Sequence, residues 1–324
     1  MDAADRPDDA GSADDTRPPV SRRAIALADL RELAAPSTRA SWRGRGFNAA
    51  RTAELAWYRF VPWPRFDTRS GMPLDVVIPV GGQDARTLPL VVESVRRNLR
   101  HPVGRVIVVT AAGSDAADEA GDLGTEVVDE AGVLPIRRSD LAFYRVEPWD
   151  RSGWLFAQLL KLNVDALSAQ EHVLVLDADT VMVRPQAFTS GGDVVALVSG
   201  EYHRPYFDAY QALMGEPAAS RLSFITHQAV FERRLLAELK ADIERRRRRP
   251  WWQAILDVCD FGELSCFSEY ELYGNYRLRH DASVVRRWWA NLPLPRSQLT
   301  PLADLERRYG HAYRTVSFHH YLGG

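Results

Sequence analysis

The sequence predicts an α/β protein built on a mostly parallel sheet flanked by helices, with a mainly helical C-terminal part. Three observations carry that expectation. Strand-like and helix-like segments alternate from residue 74 onward. The strand-like runs "LDVVIPV", "GRVIVVT" and "HVLVLDADT" are apolar almost without interruption, as strands covered on both faces are. The segments between them carry apolar residues at helical spacing, the pattern of crossover helices packed on a parallel sheet. In such sheets ligands bind beyond the carboxyl ends of the strands.

Residues 1–22 lack periodicity and aromatic side chains and are expected to form a disordered acidic tail. Residues 23–72 read as an N-terminal extension with one helix, Arg23 to Ala34, and an aromatic patch, "AWYRFVPWPRF". The domain proper spans residues 73–324 and opens with "LDVVIPV", ended by Gly81 and Gly82. "LPLVVESVRRNL" follows as an amphipathic helix with Thr87 as its N-cap. "GRVIVVT" and "TEVVDE" are the next strands, and "SGWLFAQLLKLNVDAL" is a helix leading into "HVLVLDADT". "DVVALVS" and "SFITHQAVF" read as strands and "RRLLAELKADIERRRRR" as a helix. "WWQAILDVCD", "SEYELYGNYRL", "ASVVRRWWANL" and "PLADLERRYG" read as mainly helical, and "YRTVSFHHYLGG" closes the chain as a strand.

Composition narrows the function. The 324 residues are 46% hydrophobic and 26% charged, enough apolar surface for a full core. A net charge of -2 gives no reason to expect a nucleic-acid partner. The two cysteines, Cys259 and Cys266, show neither a disulfide framework nor zinc spacing, and read as reduced thiols of a cytoplasmic protein. No apolar run approaches the roughly 18 residues of a transmembrane helix, and the acidic N-terminus has no signal-peptide pattern.

The informative stretch is "VLVLDADTVMV", residues 173 to 183. An apolar strand delivers Asp177 and Asp179 to one face at its end. Two buried carboxylates cost several kcal/mol unless something cationic meets them. The pair suits Mn²⁺ or Mg²⁺ gripping a diphosphate, and the plain alternative is a solvated acidic turn. "LDADT" also satisfies the Asp-x-Asp-x-Thr string of haloacid-dehalogenase-like phosphatases, in which the first Asp accepts the phosphoryl group. That motif normally opens its domain, whereas three strands precede it here. The later acidic pair is poorly supplied too, since Asp257 and Asp260 fall in an apparent helix.

In order, "IPVGGQD", "VVDEAGVLP", "RSGWLFAQLLKL", "VLVLDADTVMVRP", "SFITHQAVF", "SEYELYGNY" and "SFHHY" resemble the GT-A-fold nucleotide-sugar glycosyltransferases. The resemblance is to a bacterial family of GT-A-like proteins of unknown function and covers roughly residues 74 to 321. It implies a GT-A-like fold and transfer from a nucleotide-sugar donor to a carbohydrate acceptor, in surface polysaccharide or glycan assembly. It further implies a metal on Asp177 and Asp179, with a third ligand from the C-terminal histidines: His320, or its neighbour His319. Lys161 and Gln158 would face the donor diphosphate, and Val80, Gly81 and Asp84 the base and ribose. Each of these also has an ordinary reading, as a helix lysine or a turn glycine.

For an inverting transfer the general base is expected in "CFSEYELYG". Ser268 as N-cap places Glu271 at the capping-box position and leaves Glu269 the freer carboxylate, hence the candidate base. Glu271 and His227 are candidates for the acceptor side. Asp129 and Glu130 end another strand near the expected site. Trp251, Trp252, Trp288 and Trp289 line either an acceptor groove or the core. The Arg245 to Arg249 run reads as a helix end, with peripheral contact to an anionic membrane as the rival. A non-catalytic nucleotide-sugar-binding protein is the remaining alternative.

Overall fold

The computed structural model describes residues 42–60, 69–190 and 192–319. The expected acidic tail, the Arg23 to Ala34 helix, the later half of the aromatic patch and His320 lie outside them. The chain divides into two compact units, Met1–Ser37 and Thr38–Gly324, and only the second contains described residues.

Chain order runs α1 (Trp42–Phe60), β1 (Leu74–Pro79), α2 (Leu88–Asn98), β2 (Val103–Thr110), α3 (Asp115–Asp122) and β3 (Glu126–Asp129). A short hairpin, β4 (Arg145–Val146) and β5 (Trp149–Asp150), leads to α4 (Ser152–Lys161), α5 (Val164–Leu167) and β6 (His172–Leu176). Then come β7 (Thr180–Met182), β8 (Thr189–Ser190), β9 (Asp193–Val198), α6 (Arg204–Met214), β10 (Gln228–Glu232), α7 (Arg233–Arg247) and α8 (Trp251–Val258). The last elements are α9 (Glu269–His280), β11 (Val285–Trp288), β12 (Asn291–Pro295), α10 (Leu302–Tyr309) and β13 (Thr315–His319).

The central sheet has the order β10-β6-β1-β2-β3. β6, β1, β2 and β3 are parallel, and β10 runs antiparallel on the edge beside β6. All six residues of β1 are buried, which is why its sequence does not alternate and, apart from a hydrogen-bonded Asp75, is apolar. Val77, Ile107, Val109, Val173 and Val175 share one cluster with apolar residues of α4, α6, α7, α8 and α9. The expected mostly parallel sheet flanked by helices is therefore the architecture found.

Two smaller sheets lie beyond it, in the orders β11-β9-β8 and β12-β13-β7. Here one expectation fails. "ASVVRRWWANL" is not helical: β11 pairs in parallel with β9, and β12 in parallel with β13. β-Branched and aromatic residues suit a pleated, half-buried surface, and both partners are distant in sequence, so no local period announces the pairing. Between them the chain changes sheets at Ala290, whose φ of 54° is left-handed.

Thr87 also departs from expectation. It precedes α2, but its side chain makes no capping hydrogen bond. Its hydroxyl is shared instead between the carbonyls of Asp84 and Ala178, 2.7 Å from each. The turn after β1 is thereby tied to the Asp177–Asp179 turn after β6.

Helix α9 approaches the segment before β10 so closely that a methyl group at Gly274 would overlap the Phe224 ring. Gly274→Ala is therefore expected to lower stability by about 1–3 kcal/mol through overpacking. Urea denaturation measures this as a reduced midpoint with an unchanged slope.

Candidate functional site

The turn after β6 is fixed by backbone bonds on two sides. Asp177 N donates to the His227 carbonyl at 2.9 Å, extending the β6–β10 ladder, and Phe318 N of β13 donates to the Asp179 carbonyl at 2.9 Å. Thr180 N closes the turn on the Asp177 carbonyl at 3.1 Å. His227 itself has a left-handed φ of 55°.

Asp177 is the hub. Its Oδ1 meets Lys161 Nζ at 2.5 Å and accepts the Tyr270 hydroxyl at 2.9 Å. Its Oδ2 lies 2.8 Å from His227 Nδ1. Lys161 Nζ also lies 2.8 Å from Glu269 Oε1 and 4.6 Å from the centre of the Tyr270 ring. This is an ion pair rather than a well-directed hydrogen bond, and Glu269 Oε2 has no hydrogen-bond partner among the described residues. Asp179 takes His319 Nδ1 at 3.2 Å and the Thr180 hydroxyl at 3.1 Å.

The electrostatics follow from burial opposed by pairing. Burial alone would raise the Asp177 carboxyl, but Lys161 and His227 outweigh it and hold it well below the usual range. Burial would lower Lys161, yet Asp177 and Glu269 push it above its ordinary value. Burial raises Glu269, and the Asp177 charge adds to it against Lys161. His227 is pushed up to about 9 because its bond and charge interaction with Asp177 overcome burial. Asp84 rises to about 6 through burial and the nearby charges of Asp179 and Asp177, opposed by its ion pair with Arg296.

The carboxylates Asp84, Asp177, Asp179 and Glu269 outnumber the cations paired with them, Lys161, Arg296 and the raised His227. Ligand atoms of Asp177, Asp179 and His227 all lie within 4.8 Å of one another. Two oxygens and an imidazole at that spacing, with acidic charge in excess, fit a divalent cation such as Mn²⁺. His227, expected on the acceptor side, stands in this cluster. His319 rather than His320 is the described imidazole beside Asp179.

Other candidates lie apart from the cluster or have local work. Val80 is buried and its amide donates to Val109, while the exposed Gly81 accepts the Asp84 amide in a turn. Gln158 Nε2 turns back onto the Trp154 carbonyl of its own helix at 3.2 Å. Asp129 caps Ala131 at the end of the outermost strand β3, beside a half-buried Glu130.

The capping box at α9 is only half made: Ser268 accepts the Glu271 amide at 3.3 Å. The Glu271 side chain does not return the bond. It is fully buried and accepts from Ser223 Oγ at 2.8 Å, Phe224 N at 3.1 Å and Asn275 Nδ2 at 2.8 Å. Long-range donors on the segment before β10 win it from the helix start.

Asp257 pairs with Arg249, and Asp260 caps Gly262, so neither joins Asp177 as a second acidic pair. In the arginine run, Arg246 and Arg247 donate to the carbonyls of Met214 and Ala212 at the end of α6, and Arg245 pairs with Asp242. Of the tryptophans, Trp251 and Trp252 pack in the core and Trp288 lies against Arg59, whereas Trp289 stands 5.0 Å from His227, ring centre to ring centre. Both cysteines are free thiols. Tyr270 and Arg296 were missed by sequence reasoning. Tyr270 has only its adjacency to Glu269 as a signal, and Arg296, at the end of β12, has none.

The family of unknown function DUF6492 matches residues 83–299, a span that contains Asp84, Lys161, Asp177, Asp179, His227, Glu269, Tyr270 and Arg296. The chain belongs to that family. No curated protein matches the sequence. Among solved structures it is similar to mouse xyloside xylosyltransferase 1, at 10% identity over 76% of this chain and 97% of that one, with a TM-score of 0.43. It is similar to the galactosyltransferase LgtC in complex with donor and acceptor sugar analogues, at 13% identity over 76% and 87%, with a TM-score of 0.42. A third is glucosyl-3-phosphoglycerate synthase from Mycobacterium tuberculosis with Mn²⁺, UDP and phosphoglyceric acid, at 16% identity over 68% and 69%, with a TM-score of 0.36. Likenesses this distant carry none of the functional reading. Among the described residues no helix is long and apolar enough to cross a membrane.

Lys161→Met leaves Asp177 and Glu269 buried without their shared cation, and is expected to cost about 3–5 kcal/mol in urea denaturation. Adding Glu269→Gln should recover part of that loss. Burial pushes Glu271 up to about 7 against its three donors, from an ordinary value of 4.5. The folded state therefore holds the extra proton between about pH 4.5 and 7, and this contribution to stability is lost as pH rises through that window. Glu271→Gln should flatten the slope of urea midpoint against pH there, while lowering stability throughout by stranding Asn275 Nδ2 against an amide donor.

Proposed function

We infer that this protein is a divalent-metal-dependent glycosyltransferase of GT-A type, moving a sugar from a nucleotide-sugar donor to a carbohydrate acceptor. The observation that carries the reading is the convergence of Asp177, Asp179 and His227 at the carboxyl end of β6, next to the buried cation Lys161. That end of a parallel sheet is where nucleotides bind. Its surplus of carboxylates calls for a cation, and a cation held there suits a diphosphate. The ordered resemblance of the sequence motifs to GT-A enzymes points the same way.

Asp177, Asp179 and His227 would hold Mn²⁺, with His319 steering Asp179; imidazole among the ligands favours Mn²⁺ over Mg²⁺. When bound, the metal supplies Lewis-acid stabilisation of the charge developing on the leaving diphosphate. Lys161 keeps Asp177 ionised and oriented, and Tyr270 fixes the same oxygen from the other side. Asp84 and its turn would border the nucleoside, tied to the metal turn through Thr87. Glu269 is the proposed general base for an inverting transfer. Its carboxyl is buried and raised, so it would take the acceptor proton only once that hydroxyl replaces Lys161 as its partner. His227 takes the ligand place expected of His320, and surface polysaccharide or glycan assembly is the proposed setting, in the cytoplasm.

A thermal-shift titration with UDP and GDP, with and without Mn²⁺, tests the reading. At a hundredfold excess over its Kd, a ligand of the native state adds about 2.7 kcal/mol of stability. At least one nucleotide is expected to raise Tm only when Mn²⁺ is present, with Mg²⁺ weaker, and Asp179→Ala is expected to abolish the effect. Equal shifts with and without metal would sink it.

A further inference from the structure

Trp289 lies at the edge of the acidic cluster and has no part in holding it. Its ring centre is 5.0 Å from that of His227, with the planes tilted by 45°. Its indole Nε1 is shut off from solvent and has no hydrogen-bond partner among the described residues. A buried N–H donor without an acceptor costs about 1–3 kcal/mol, and native structures seldom leave one without a reason.

The backbone that carries the ring is fixed, so only its side-chain torsions set where the N–H points. Trp289 N donates to the Val198 carbonyl at 3.0 Å, and the next carbonyl, that of Ala290, accepts Arg314 N at 2.8 Å. The backbone is thus pinned on both sides of the crossing from β11 to β12. The left-handed φ of Ala290 is part of that crossing, a local cost of the sort that clusters at ligand sites.

We propose that Trp289 is a specificity-determining residue whose indole, covered in this structure, turns about its side-chain torsions when the donor enters, so that its N–H donates to an oxygen of the donor's sugar beside the His227 imidazole. A neutral single donor on a flat apolar ring suits a sugar, which offers a hydroxyl oxygen next to a C–H face. It suits a phosphate poorly, since phosphate calls for the charge that Lys161 and Arg296 carry. A site built to bond a substrate hydroxyl also rejects the analogue that lacks it, because the N–H is then stranded again. The proposal rests on the transferase reading above and adds which part of the donor is read, and by which atom.

Two measurements on the full chain test it. In calorimetry with Mn²⁺, Trp289→Phe is expected to bind UDP and GDP as the wild type does. It should bind UDP-glucose or GDP-mannose, whichever the wild type prefers, about three- to tenfold more weakly. In spectra of protein with ¹⁵N-labelled indoles, the Trp289 resonance is expected to move downfield with the nucleotide sugar and to stay in place with UDP or GDP. It is identified by its absence from Trp289→Phe, or from Trp289→His should the phenylalanine variant fail to fold. An unchanged affinity in Trp289→Phe, or a resonance that ignores a bound nucleotide sugar, overturns the assignment and leaves the transferase reading intact. A resonance that moves equally with UDP or GDP alone overturns the choice of the sugar. If the wild type binds neither nucleoside diphosphates nor nucleotide sugars, both readings fall together.

Discussion

The site depends on one buried ammonium group. Lys161 stands between Asp177 and Glu269, two carboxylates from elements far apart in sequence, and hydrogen-bond distances separate it from both. Without that cation Glu269 would lose its opposing charge and Asp177 would keep only His227. With it, the last residue of α4, the end of β6 and the first residue of α9 are pulled to one point. Burial of this kind is weak evidence for stability but strong evidence for placement, because each partner leaves the others uncompensated if it moves.

Around that point the architecture supplies rigidity from two sheets. The aspartate turn is bonded to β10 on one flank and to β13 on the other, and the Thr87 hydroxyl ties it to the turn after β1. Arg296 adds a further link, contacting the Asp84 carboxylate and the Phe318 carbonyl together. Metal sites work best when such outer contacts orient the ligands. The bond from His319 to Asp179 has that form.

What could be read from the sequence follows the range of the interactions. β1, β2 and β6 announce themselves because strands covered on both faces are apolar throughout. Asp177 and Asp179 stand out because they interrupt such a run. β11 and β12 do not, since their pairing partners are ninety residues upstream or supplied by the last strand, and "VVRRWW" satisfies either period. Tyr270 and Arg296 reach the cluster only through tertiary contact. Glu271 looked free to close a capping box because Ser223 and Phe224, the groups that claim it, are distant in the chain. His227 was recognisable as a strand-end histidine, but nothing local pointed to Asp177 as its partner.

The left-handed backbone at residue 227 has its own implication. A side chain there costs roughly 1–2 kcal/mol that glycine would avoid. Stability alone therefore argues for an achiral residue at this bend, and the imidazole found in its place is retained against the preference of the main chain. Its worth to the molecule has to come from what the ring does for Asp177 and for whatever occupies the space beside it.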